Sequence, residues 1–214
     1  MNVNHFLQTL PDQFNDWGKE SVHPKDDSGF RVTEGAWIMG SRNTVSLIRY
    51  AVSLMEPDEV YLEMGVLQGG TFVPVIHGNK AKAWAVDNWS DFDENGKNRR
   101  IFIDRLEKYG LSDRTTLYEM DSLSFLRNQP LGRVGVCFYD AEHDFWSTVK
   151  CLLGITRILS DNALIIVDDY GFKSPPRAIK ALLRHCKNLE LSMVLQGQSQ
   201  TSWWNGLALL EYKR

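Results

Sequence analysis

What is scarce in these 214 residues narrows the field first. There are only three cysteines, Cys137, Cys151 and Cys186. An odd count with no CxxC pair excludes a disulfide framework and a thiolate metal or redox pair. Cys137 lies in an apolar strand-like run and Cys151 in a helix-like one, so buried thiols are expected. No run approaches the ~20 apolar residues of a membrane span. The opening "MNVNHFLQTL" lacks a basic stretch followed by an apolar one, so no leader is expected. A reduced, cytoplasmic setting is the expectation from these absences. Positive charge is not in surplus either: 24 Lys and Arg face 27 Asp and Glu, a net charge of −3. A nucleic-acid surface would need a basic stripe, and the one tight cluster, "NRR" at 98–100, reads as a solvated helix face. The dinucleotide fingerprint GxGxxG is missing too. In "EMGVLQGGT" Leu67 stands where the second glycine belongs, which disfavours nicotinamide hydride transfer.

What is present is an ordinary soluble-enzyme composition, 43% hydrophobic and 24% charged. Residues 1–35 read as a polar, irregular lead-in with a loop at "HPKDDSG", suited to a lid or a subunit contact. From residue 36 to 214 the pattern is one domain. A helix is expected across 36–55, with Val45, Ile48, Val52 and Met55 on one face, broken by "EPDE". Strands then alternate with helices. The strands are "VYLEMG", "KAWAVD", "TTLYEMD", "VGVCFYD" and "ALIIVDD". Between them come a short helix holding Pro74, an amphipathic helix closed by Gly110, and "SLSFLRNQ" from Ser122. The next helix presents Phe145, Val149, Leu152, Leu153, Thr156 and Leu159 on one face, and "PPRAIKALLRHC" is another. "LELSMVLQ" and "WWNGLALLEYK" follow with only a short turn, hence an antiparallel hairpin. Helix-separated strands pair in parallel. The fold class is therefore α/β, a doubly wound and mainly parallel sheet with a closing antiparallel hairpin.

Ligands in such sheets bind outside the carboxyl ends of the strands. Here those ends are acidic: Glu63, Asp87, Asp121, Asp140, then Asp168 and Asp169. One Asp after a strand is an ordinary helix cap; acids after every parallel strand point to a shared site. The adjacent pair Asp168–Asp169 is the most demanding feature. Two carboxylates ~4 Å apart repel by ~1 kcal/mol in water and several-fold more near a protein interior. Something positive should lie between them.

The turn at Glu63, Gly65, Gly69, Gly70 and Thr71 resembles the first motif of class I S-adenosylmethionine-dependent methyltransferases. "AVD", ending in Asp87, is similar to their ribose-binding motif, and "MDSLSFL", with Asp121 and Ser122, to the adenine-edge motif. "FYDAEHDF" and "ALIIVDDY" resemble the fourth and fifth strands of the family, so the likeness runs from residue 60 to 214. It implies a Rossmann-like seven-stranded sheet and S-adenosyl-L-methionine as cofactor. The binding set would be Glu63, Gly65, Gly69, Gly70, Thr71, Asp87, Asp121, Ser122 and Asp140, with Trp89 as the apolar wall against adenine.

Within the family the chain is most similar to the metal-dependent catechol and macrolide-sugar O-methyltransferases. That resemblance implies a divalent metal, Mg²⁺ by its all-oxygen set, on Asp140, Asp168 and Asp169. The two adjacent aspartates can converge only where the strand turns out of the sheet. The same groups place a base three residues after the fourth-strand acid, at His143, or two after it, at Glu142. Imidazole, with a pKa near ~6.5, suits that role. Ala141 departs from the glycine common there. The function so implied is methyl transfer to a hydroxyl of a small molecule such as a natural product, sugar or catechol, by a homodimer that binds neither nucleic acid nor membrane. Metal-independent transfer to O or N, and a noncatalytic cofactor-binding module, are the alternatives.

Overall fold

The computed structural model describes residues 1–33, 36–128, 133–197 and 202–214. Seven strands form the main sheet: β1 Val60–Met64, β2 Lys82–Asp87, β3 Thr115–Glu119, β4 Val134–Tyr139, β5 Leu159–Val167, β6 Leu189–Leu195 and β7 Leu207–Lys213. Their order is β3-β2-β1-β4-β5-β7-β6. All neighbours run parallel except β7, which is antiparallel to both β5 and β6. The helices are α1 Val3–Thr9, α2 Arg42–Ser53, α3 Phe72–Ile76, α4 Lys97–Lys108, α5 Ser122–Asn128, α6 Phe145–Ile158 and α7 Ser174–Leu183.

The central strands β1 and β4 are buried at every residue, as their unbroken apolar runs require. Successive side chains point to opposite faces, and so feed two cores. Tyr61, Val136, Phe138, Leu164 and Ile166 join one cluster with Leu47, Phe72 and Phe102 from α2, α3 and α4. Leu62, Cys137, Ile165 and Val167 join the other with Phe125, Leu152 and Ile179 from α5, α6 and α7. Cys137 and Cys151 are the buried free thiols expected.

Several boundaries differ from the sequence reading. Helix α2 starts at Arg42, because Ser41 is extended and caps it by accepting the Thr44 N–H at 3.1 Å. The buried face of α6 is Thr148, Cys151, Leu152, Ile155 and Ile158, whereas Leu153 is 49% exposed. Of the expected face only Leu152 is buried within the helix, because apolar residues surround its axis and their spacing gave the wrong phase. Strand β5 stops at Val167, two residues before the expected end, and Asp169 turns away at φ 80°. Strand β7 starts at Leu207 rather than at Trp203, since the carbonyl of Gly206 accepts the N–H groups of Asp169 and Tyr170. Trp203 and Trp204 thus sit in a turn, the first of them buried.

The lead-in is more ordered than its polarity suggested. It holds α1, a two-residue antiparallel pair (Phe14–Asn15 with His23–Pro24) and a 3₁₀ turn, Ser28–Thr33. Phe6, Leu10, Phe14 and Val22 are buried in the same core cluster as β1 and α2. The expected boundary near residue 35 and the last residue of "SLSFLRNQ" lie outside the described residues.

Candidate active site

The carboxyl ends of β1, β2 and β4 open onto a cavity of about 570 Å³. It lies where the strand order reverses on either side of β1, the switch point at which doubly wound sheets hold ligands. The turn after β1 is shaped for it. Gly65 has φ +90°, and a Cβ there would stand 1.9 Å from the Asp140 carbonyl oxygen. Leu67 donates its N–H to Asp87 Oδ2 at 2.9 Å, and Trp89 donates its own to Oδ1 at 2.7 Å. Asp87 therefore clamps the glycine turn to the end of β2. Burial raises its pKa, and those N–H groups oppose the rise.

Four further acids converge next to it. Glu63 is buried on β1 and accepts a hydrogen bond from the Tyr61 hydroxyl. Burial, then the charges of Asp140 and Asp87, lift its pKa well above the carboxylate range, against the pull of that hydroxyl. Asp140, just past β4, is pushed up to about 8 by desolvation, Asp169 and Asp87, although about 24% of its side chain faces the cavity. Asp168 is raised well above its ordinary value by burial and then by Asp140 and Asp169. Asp169 is held on three sides. Its N–H reaches Asp168 Oδ1 at 3.0 Å, Asn205 Nδ2 donates to its Oδ1 at 2.9 Å, and His143 Nε2 stands 3.2 Å from its Oδ2. The same Nε2 is 3.7 Å from Asp140 Oδ1. Nδ1 has no hydrogen-bond partner among the described residues, so the ring is fixed only along its Nε2 edge. The side chain that faces Asp140 and Asp169 is thus this imidazole.

The raised Asp140 pKa has a consequence for stability. Its folded-state value, about 8, exceeds the ordinary 3.8, so the folded state holds a proton that the unfolded chain releases. Stability of the ligand-free protein therefore falls as pH rises from about 4 to about 8. A thermal-melt series across that range checks it: Asp140→Asn lessens the slope, the raised carboxyls of Glu63, Asp87 and Asp168 supplying the rest, and an unchanged slope would contradict the assignment.

Of the residues singled out in the sequence, Gly69, Trp89, Asp168 and Asp169 are not on the cavity wall, and all the others are. Gly69 packs over the Phe102 ring. Trp89 lies beneath the turn, its indole N–H donating to the Leu67 carbonyl and its ring 6.0 Å from Phe102. Asp168 and Asp169 are buried behind His143. Glu142 points elsewhere than His143: its carboxylate accepts the Ser122 hydroxyl at 3.1 Å, tying the start of α5 to the chain that follows β4. Asp144 caps α6, as its N–H acceptances from Trp146 and Ser147 require. Among the described residues no three His, Cys, Asp or Glu side chains stand together as a metal-holding group. The wall also includes residues with no sequence signal: Trp37, Ile38 and Met39, and Asp91 with Phe92.

Comparison with known proteins bears on what this site is. A family model described as a methyltransferase domain matches residues 62–170, just over half of the chain. No curated protein matches it in sequence. Among solved structures it is similar to the S-adenosylhomocysteine-bound Podospora anserina methyltransferase PaMTH1, at 16% identity and a TM-score of 0.67, over 100% of this chain and 97% of that one. It is similar to cofactor-bound Rv0187 from MTB at 17% identity and a TM-score of 0.66, again over 100% and 97%. A Klebsiella pneumoniae protein provisionally named an O-methyltransferase gives 16% and 0.67, over 89% and 92%. Identities this low speak for the fold alone. Together with the matched segment and the order of the sheet, they place the chain in the methyltransferase-domain family, with the fold of the class I S-adenosylmethionine-dependent enzymes.

Proposed function

We propose that the protein transfers the methyl group of S-adenosylmethionine to a hydroxyl of a small molecule, with His143 as general base. In this reading Asp140, Asp168 and Asp169 would hold a divalent cation, Mg²⁺ in the first instance, once their side chains draw closer than they stand in the ligand-free protein. The observation that carries it is the position of His143, on the cavity wall with Nε2 within 3.2 Å of Asp169 and 3.7 Å of Asp140.

The cavity suits the cofactor. Gly65 lets β1 turn sharply beside Asp140, and Asp87 stands at the end of β2, where a ribose would meet it. The donor chemistry suits a hard dication as well. The three aspartates offer oxygen only, two of them are buried, and none pairs with a lysine or arginine among the described residues. When bound, S-adenosylmethionine supplies a sulfonium-activated methyl group, and the cation supplies Lewis acidity that lowers the hydroxyl pKa.

The chain's own residues do the rest. His143 takes the hydroxyl proton on Nδ1, the ring nitrogen left without a partner among the described residues, while Nε2–H stays on the Asp169 carboxylate with Asp140 beside it, and these acids stabilise the imidazolium that forms. Asp168 holds the backbone of Asp169 in place, so the base keeps its orientation. Holding the nucleophile in line with the transferring methyl contributes several kcal/mol, up to about 7–11 for a well-oriented bimolecular step. A vicinal diol, as in a catechol or a sugar, offers two oxygens to the same acids.

Chelation separates this reading from its main rival. With a metal on the acids, EDTA lowers turnover by about 100-fold or more and added Mg²⁺ restores it. Full turnover in EDTA leaves metal-independent transfer, with the acids serving His143 alone. A calorimetric titration that gives no heat with S-adenosylhomocysteine would instead point to a noncatalytic module.

A further inference from the structure

We infer that the acceptor carries a protonated amine and no phosphate or carboxylate, its cation seated at the cavity mouth by Asp91, Trp37 and Phe92. The inference rests on the methyl-transfer reading above and extends it to the class of substrate.

The first observation is the charge of the wall. Glu63, Asp87 and Asp140 lie deep, Asp91, Asp121, Glu142 and Asp144 lie outward, and no Lys or Arg is among the described lining residues. Recognition of a phosphate or carboxylate uses cationic, forked donors, and this wall has none. The sole cationic candidate, His143, is already committed to Asp169 and Asp140. An anionic acceptor would therefore meet the outer carboxylates at the mouth, Asp91, Asp121, Glu142 and Asp144, with no lysine or arginine among the described lining residues to receive it.

The second observation distinguishes Asp91 from the other outer acids. Asp121 accepts the Ser124 N–H, Asp144 those of Trp146 and Ser147, and Glu142 the Ser122 hydroxyl. Asp91 is exposed and has no hydrogen bond or ion pair among the described residues. Next to it, the Phe92 ring stands 67% exposed on a backbone with φ 59°. That ring meets Trp37, itself 47% exposed, edge to face at a centroid distance of 5.8 Å. Large exposed rings are costly to leave in water, and an aromatic pair beside a free carboxylate is how an organic cation is bound. An acid wall alone would admit any neutral molecule; the ring pair selects an ammonium on an apolar body.

Three catechols with the same ring diol test the inference on the protein saturated with S-adenosylhomocysteine and Mg²⁺. They are dopamine, 4-methylcatechol and 3,4-dihydroxyphenylacetate, with binding read by calorimetry. Dopamine binds about 10-fold more tightly than 4-methylcatechol, and the acid binds at least about 10-fold more weakly than it, as one unit charge in such a field implies. Raising the salt compresses the series. Asp91→Asn reduces the preference for dopamine to under about threefold, while the S-adenosylhomocysteine titration stays unchanged. Equal binding of the three, tighter binding of the acid, or no binding of any overturns the inference. So does an Asp91→Asn variant that loses S-adenosylhomocysteine as steeply as dopamine, since the mouth would then serve the cofactor. Failure of wild-type protein to bind S-adenosylhomocysteine shows before any catechol is added and counts against the methyl-transfer reading instead.

Discussion

His143→Ala lowers turnover by about a thousandfold, the middle of the range for removal of a general base, while S-adenosylhomocysteine affinity changes by less than about threefold. The split follows from geometry. His143 touches Asp140 and Asp169 through Nε2, whereas the turn expected to hold the cofactor is built by Gly65, Leu67 and Asp87, which it does not contact. The acceptor KM should rise little, because the hydroxyl is held by the acids and not by the ring. The pH–rate profile adds a readout that a purely structural role would not move. In His143→Ala the rate rises only toward the alkaline range, where free hydroxide and the intrinsic acidity of the hydroxyl take over from the missing base. His143→Gln, which keeps a hydrogen-bonding side chain of similar reach, does not rescue turnover. Turnover within tenfold of wild type in both variants would remove the base from His143 and make its contact with Asp169 a structural one.

How much of this was readable beforehand differs between the sheet and its rim. The parallel strands are buried on both faces, so β1, β4 and β5 each appear as an apolar run long enough to recognise. Asp140, Asp168 and Asp169 follow those runs directly, so their place at the carboxyl edge of the sheet needed only the observation that a strand ends there. Even the exit of Asp169 from the sheet was implied by "DDYG", and the left-handed backbone at that residue realises it. The helices were less informative. In α6 the apolar residues lie all round the axis, so their spacing could not say that Leu153 faces outward. Tertiary partners escaped altogether. Asn205 is 36 positions away from Asp169, in a turn whose shape depends on Gly206 serving the chain that follows β5. Trp37 reaches the cavity because its N–H is fixed by the Gln68 side chain at 2.7 Å, a contact across 31 positions with no motif to mark it. Trp89 shows the reverse error. Its place after Asp87 suggested an adenine wall, but φ 48° turns the indole under the turn and onto Phe102. Motifs locate backbone turns well; they say little about which way a large side chain leaves them.

Gly65→Ala has the largest expected effect on cofactor binding, and its cause lies in the backbone. An alanine there must adopt φ +90°, which costs about 1–2 kcal/mol for a residue with a Cβ. Its methyl would also stand 1.9 Å from the Asp140 carbonyl oxygen and 2.7 Å from the carbonyl carbon. Neither neighbour can withdraw freely. The Gly65 N–H is bonded to the Val86 carbonyl and the Asp140 N–H to the Met64 carbonyl, each at 2.9 Å. Relief therefore means parting β1 from β4 at the point where Asp140 leaves the sheet, and overpacking of that kind adds about 1–3 kcal/mol. Together these predict a melting temperature lower by roughly 10 °C, at 2–4 °C per kcal/mol for a chain of this size. S-adenosylhomocysteine affinity falls by about 100-fold or more, since the turn and the acid that frame the cavity move together. Gly18→Ala is the control. That residue has φ +79° and nothing within 4 Å of a Cβ, so its variant bears the dihedral cost without the collision. The difference between the two variants measures the clash alone. If Gly65→Ala melts and binds like Gly18→Ala, the close approach of β1 to Asp140 is not what shapes the cavity. If it keeps its melting temperature and loses only affinity, the loop has given way without the strands.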